Sequence, residues 1–187
     1  MRTILITIIL ILSSYFPALS DVTFEGANNE IVILTGSIEI EELDEMLELM
    51  KAKKPTQIIL DSYGGNIRSA ERLASYINNN NISTYVSEVA VCKSACVILF
   101  LAGKKRLCEG ELGVHQARPS KEMEYDIMIS KVAYKYLQKD MGELVTLLNS
   151  FNTPPFVYEK MFKSYDMYDF SKEEIAQINT VKSLDEM

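Results

Sequence analysis

The chain has 187 residues, 26 acidic against 19 basic side chains, a formal net charge of −7, and 48 % hydrophobic residues. That is the size of one domain with a real core. The acidic balance, with no basic tract and no interleaving of aromatic and basic residues, argues against nucleic acid and anionic lipid as partners.

Residues 1–20 read as a secretory signal peptide. Arg2 supplies a short positive start, Ile4 to Leu12 an apolar run, and Ala18-Leu19-Ser20 the small residues that precede cleavage before Asp21. The apolar run is short for a membrane span, an uncleaved amphipathic anchor being the alternative, and no other segment is apolar enough to cross a bilayer. The expected protein is a single mature domain over 21–187, periplasmic or secreted, with no membrane contact after cleavage.

In chain order, residues from about 29 to 36 predict a buried strand ending at Gly36. Leu43, Met46, Leu47 and Met50 recur at helical spacing among acidic residues, and Lys51 to Pro55 supply cations and a proline stop. Gln57 to Leu60 predicts a short strand, Asp61 to Asn66 a turn, and Arg68 to Ile77 a helix that ends at a run of asparagines. Ile82 to Val91, rich in β-branched residues and tyrosine, predicts a strand. Ser94 comes next, then a buried helix over Ala95–Leu101 with Gly103 as its stop. Lys105–Cys108 and Gly113–Gln116 read as short strands. A long helix is expected from about Met123 to Asn149, with Ile127, Val132, Tyr136, Leu137, Met141, Leu144, Leu147 and Leu148 apolar. Ser171 and Glu174 form a capping box for a last helix. Strands alternating with helices imply crossovers and a mostly parallel sheet, hence the α/β class.

Ligands of such sheets bind beyond the strand C-termini, and both Gly64-Gly65 and Ser94 fall at strand-to-helix junctions. A serine hydroxyl is a weak nucleophile until a base takes its proton. His115 is the only histidine of the chain, so any imidazole base must be His115. The Ala95 N–H, just after the serine, and an N–H brought close by Gly64-Gly65 are candidate oxyanion donors. Each feature has an ordinary reading: Ser94 as an N-cap, the glycines as a plain turn, His115 as a core histidine. Their order on an α/β pattern favours a site. Cys92 and Cys96 bracket Ser94. In an exported chain a disulfide between them would restrain the serine loop and leave Cys108 free, buried free thiols being the alternative. Three cysteines and one distant histidine lack zinc spacing, so no metal is expected.

These motifs resemble the Clp peptidase and crotonase superfamily, closest in pattern to the serine-type Clp proteolytic subunit, from about Glu30 to Lys182. The matching segments are Ile31–Ile38, the glycine-pair motif Asp61–Ile67 with Tyr63 where proline is usual, Ser94-Ala95-Cys96, the basic turn at Leu101–Arg106, and Gly113-Val114-His115-Gln116. The signal peptide and the cysteine pair are more similar to an exported branch of that superfamily. The resemblance implies a β-α-β superhelix. It also implies a serine peptidase without cofactor, acting on peptide or unfolded protein, with Ser94 as nucleophile, His115 as general base, and Gly65 and Ala95 as oxyanion donors. The third member would be Asp166, with Asp169 as runner-up. The chain departs from the family in Cys92-Lys93 before the serine and in a somewhat shorter serine-to-histidine spacing. Lys93 raises a serine–lysine dyad as an alternative, and Cys92 or Cys96 a cysteine nucleophile. A silent scaffold binding peptide or a partner protein, and a crotonase-like acyl-CoA enzyme, are the other readings. The family's counterpart of the long helix packs subunit against subunit, so a homo-oligomer, trimeric or larger, is expected.

Overall fold

The computed structural model describes residues 21–25, 30–117 and 127–187, with the backbone alone for 21, 22, 24, 25 and 127–137. The proposed signal peptide and the first residues of the long helix, 123–126, lie outside the described residues, as do the side chains of Ile127, Val132, Tyr136 and Leu137.

The fold is α/β with a mostly parallel, curled mixed sheet. The first strand, β1 (Asp21–Glu25), pairs antiparallel with β2 (Ile31–Ile38). Helix α1 (Leu43–Lys53) crosses over to β3 (Gln57–Gly65), which lies parallel to β2. Helix α2 (Ile67–Asn79) then leads to β4 (Ser83–Val86), parallel to β3 on its other side. A short turn brings the chain to β5 (Val91–Lys93), also parallel to β3 but farther along it, through Ser62↔Cys92. After α3 (Ala95–Ala102) come β6 (Arg106–Cys108), parallel to β4, and β7 (Glu111–Val114), parallel to β5. The chain closes with α4 (Ile127–Ser150), α5 (Pro155–Lys163), β8 (Tyr168–Asp169), antiparallel to β7, and α6 (Lys172–Ile178).

Two expectations are corrected. The segment Asp61–Gly65 is strand rather than turn: β3 runs on through both glycines, because after Leu60 its ladder passes from β4 to β5. The stretch Ile82–Val91 is broken at residues 87–90, since β4 and β5 pair with different parts of β3. A register shift between Thr35 and Ser37 accommodates this change of direction. Gly36 sits there at φ +80°, and its carbonyl accepts from the buried Ser62 hydroxyl.

Helix α3 lies at the centre of the core, and every residue from Ala95 to Ala102 is buried. An apolar helix of eight residues with no polar face can exist only where it is covered on all sides. Leu73, Ala74 and Ile77 of α2 and Leu144 and Leu148 of α4 belong to the same core. The expected apolar face of the long helix is therefore turned, at its C-terminal end, onto its own domain. The capping box of α6 forms as the sequence predicts: the Ser171 hydroxyl accepts from the Glu174 N–H, and the Glu174 carboxylate accepts from the Ser171 N–H. Among the described residues no helix is long and apolar enough to cross a membrane.

Candidate active site

The two strand-to-helix junctions singled out in the sequence meet in space. Strand β5 ends at Lys93 and α3 begins at Ala95, leaving Ser94 as the hinge with φ +55° and ψ −124°. A non-glycine residue at such a φ stores roughly 1–3 kcal/mol of strain, which persists only where the surroundings hold it. Three restraints hold it here. The Ser94 N–H donates to the Gly113 carbonyl at 2.8 Å. Cys92 and Cys96 are joined in a disulfide with both residues fully buried. Gly64 packs directly against the hinge, where a β-carbon would come within 2.7 Å of the Lys93 carbonyl oxygen and 2.8 Å of both the Ala95 nitrogen and Ser94 Cβ.

The ordinary reading of Ser94 as an N-cap fails, since its side chain makes no cap hydrogen bond. The hydroxyl therefore stands at the positive end of the α3 dipole without serving the helix. The Gly64 N–H donates to Ser62 Oγ at 3.0 Å. Gly65 lies one residue farther on, paired with Ile38 of β2. Gly65 cannot carry a side chain, because its β-carbon would lie 2.4 Å from the Ile38 carbonyl oxygen.

Strand β7 runs parallel to β5 with Lys93 opposite Gly113, which brings His115 to the same end of the sheet as Ser94. The imidazole is half-buried. Its Nδ1 lies 2.6 Å from the Gln116 carbonyl oxygen. No hydrogen bond joins Ser94 to His115 among the described residues. Catalytic hydrogen bonds are commonly loose before substrate binds, and what the strand register gives is the placing of both residues at one end of the sheet.

The two candidate acids occupy different places. Asp169 faces Gly113 across the β7–β8 ladder and holds the Lys93 ammonium at 3.0 Å. Lys93 also pairs with Glu111 at 2.8 Å. Asp166 lies just before β8, on the stretch that runs back from Asp169 alongside the exit of β7. His115 Nδ1 meets the Gln116 carbonyl. The hydrogen bond that Lys93 donates to Glu111 first, and its bond to Asp169 with that residue's charge, hold the Lys93 ammonium above its ordinary range against the pull of burial. A lysine so stabilised as a cation does not serve as a base, which removes the support for a serine–lysine dyad.

With Cys92 and Cys96 bridged, neither is a free nucleophile. Cys108 is free and buried, and burial pushes its thiol up to about 12, so it is inert. Among the described residues no group of histidine, cysteine and acidic side chains could hold a metal ion.

Sequence reasoning missed Glu111, Asp61 and Gln116. The Asp61 carboxylate accepts from the Val91 N–H at 3.0 Å and so fastens β3 to β5. Glu111 could have been suspected as the one acidic residue opening a strand beside a charged Lys93. For Gln116 the only signal was adjacency to the sole histidine.

The fold and the site together define an α/β protein that presents a strained serine at a strand-to-helix junction against a glycine-paired strand. Searched against models of known protein families, the chain matches none, and no curated protein matches it.

Proposed function

We propose that the protein is an exported serine hydrolase of the Clp peptidase and crotonase type, acting on peptides or unfolded protein segments. Ser94 is its nucleophile, His115 its general base, and Gly65 and Ala95 its oxyanion donors. The observation that carries this reading is the backbone of Ser94. A strained serine whose side chain does not cap its own helix, pressed against a glycine that must lack a β-carbon, has no evident structural purpose. The N-terminus of α3 and the half-buried imidazole at the same sheet end supply what its chemistry needs. Tyr63, 74 % exposed and next to Gly64, offers an apolar rim for a peptide substrate. The homo-oligomer expected for the long helix belongs to the same proposal, although Leu144 and Leu148 are already covered within the domain.

A fluorophosphonate probe tests the reading. It is expected to label the wild-type protein and not Ser94→Ala, and His115→Ala is expected to slow labelling by roughly 10²–10⁴-fold. A folded wild-type protein that takes no label would instead favour a silent scaffold binding peptide or a partner protein in the same cleft. That second reading has one observation of its own, the missing Ser94–His115 hydrogen bond.

A further inference from the structure

In a serine–histidine–aspartate site the acid holds the imidazole in the tautomer whose Nε2 lone pair faces the serine. Here the group on His115 Nδ1 is the Gln116 main-chain carbonyl, at 2.6 Å. A carbonyl can only accept, so Nδ1 must carry the proton and Nε2 is left as the base. Gln116 itself is pinned. Its main-chain N–H donates to the Ser164 carbonyl at 2.9 Å, and its side-chain Nε2 donates to the Phe162 carbonyl at 2.6 Å. Both acceptors lie at the C-terminal end of α5, where helix carbonyls have no partner within the helix. Gln116 therefore ties the exit of β7 to a rigid helix end and, through that tie, fixes the carbonyl that orients the imidazole.

We propose that Gln116 is the positioning residue for His115 and that its backbone carbonyl fills the place a carboxylate holds in a triad. This rests on the reading of His115 as the base. In the acylation step Ser94 Oγ forms a bond to the substrate carbonyl carbon. The carbonyl π pair moves onto its oxygen, opposite Gly65 and Ala95, and the serine proton passes to His115 Nε2. When the tetrahedral adduct collapses, that proton goes to the leaving amine. Throughout, Nδ1–H stays with Gln116. A neutral carbonyl orients the ring as an aspartate would, but offers the imidazolium no full opposite charge.

A single histidine makes the test direct. Protein labelled with ¹⁵N-histidine gives ring-nitrogen resonances from His115 alone, and these report the tautomer without any need for activity. The wild type is expected to show Nδ1 protonated and Nε2 bare at a pH where the ring is neutral. Gln116→Ala, which loses the tie to Phe162, is expected to shift the ring toward the Nε2–H form and to slow fluorophosphonate labelling about 10-fold. Gln116→Arg, which keeps a side-chain donor, is expected to restore both. Asp166→Asn is expected to leave the tautomer as in the wild type.

An Nε2–H tautomer in the wild type overturns the proposal. So does a tautomer that responds to Asp166→Asn and not to Gln116→Ala. If Gln116→Ala does not fold, the wild-type tautomer and Asp166→Asn decide the matter alone. If the tautomer is as expected but no variant takes the label, the hydrolase reading fails and the positioning of the ring stands.

Discussion

At the scale of single residues, the close approach of Gly64 to Ser94 makes the strongest demand on side-chain identity. Any β-carbon there meets backbone on the neighbouring junction, at a φ of +99° that other residues rarely adopt. Gly64→Ala is expected to cost about 1–3 kcal/mol of stability and to slow labelling of Ser94 by about 100-fold, because the hinge must shift by a fraction of an ångström. Gly142→Ala, on α4 where a β-carbon meets nothing, is the control. It should leave labelling unchanged and stabilise the helix by about 0.5–1 kcal/mol. Equal labelling in both variants, measured with urea melts alongside, would show that Gly64 does not shape the site. The meeting of Ser94 with the glycine pair was legible in the sequence because both fall at strand-to-helix junctions, and His115 stood out as the single histidine. The contact of the Gln116 carbonyl with the imidazole was not, because a main-chain carbonyl leaves no mark on composition or spacing.

At the scale of elements, Arg106 explains how the helices are held around α3. It is 4 % exposed. Its guanidinium donates to the carbonyls of Leu101, Phe151, Asn152 and Ile178, which close α3, follow α4 and end α6. Burial lowers its pKa from the ordinary value, yet an arginine remains charged, and the negative ends of the helices take the place of a carboxylate. Arg106→Ala is expected to destabilise by about 3 kcal/mol or more, since it leaves several buried carbonyls unpaired. Arg106→Lys should recover only part of that, because one ammonium cannot reach along three directions. Urea unfolding decides, and a loss under 1 kcal/mol for Arg106→Ala would show that the clamp is incidental. The sequence marks this region as a basic turn and a short strand, with no sign of a clamp. Helix α5 and strand β8 were not foreseen: α5 is announced by little more than Pro154-Pro155, and β8 is two residues long and set by pairing with β7. The helices around Leu43–Met50 and Ala70–Ile77 were foreseen because their periodicity is local. The strand boundaries were not, because they depend on which neighbour each strand meets.

At the scale of the whole molecule, charge is spread unevenly. Glu71 on α2 is half-buried, and its Oε1 has no hydrogen-bond partner among the described residues. Burial first, then Asp140 and Glu143, raise its pKa, with Arg68 acting the other way. A carboxyl raised in the folded state supports the fold fully below its unfolded pKa, while protonated. That support is lost as the pH rises through the folded pKa. Glu71→Gln, which mimics the protonated form, should therefore stabilise the protein at pH 7. Discounted for solvent, the gain is of order 0.5 kcal/mol, and it should vanish at pH 4 and below. Paired urea titrations at the two pH values test this, and a gain of equal size at both would refute the assignment.

The double use of β3 has a mechanical consequence. The strand pairs with β2 along its whole length, while on its other side its first half meets β4 and its second half meets β5, which leads on to β7 and β8. Between β3 and β5 the ladder is the one pair Ser62↔Cys92, with the Asp61 carboxylate on Val91 beside it. The glycine strand lies on one side of this seam, and the serine and histidine lie on the other. The gap between the glycine pair and Ser94 is thus set by the narrowest joint in the sheet. Small shear across that joint would widen or narrow this gap while the β2–β3 and β5–β7 ladders keep their own pairing.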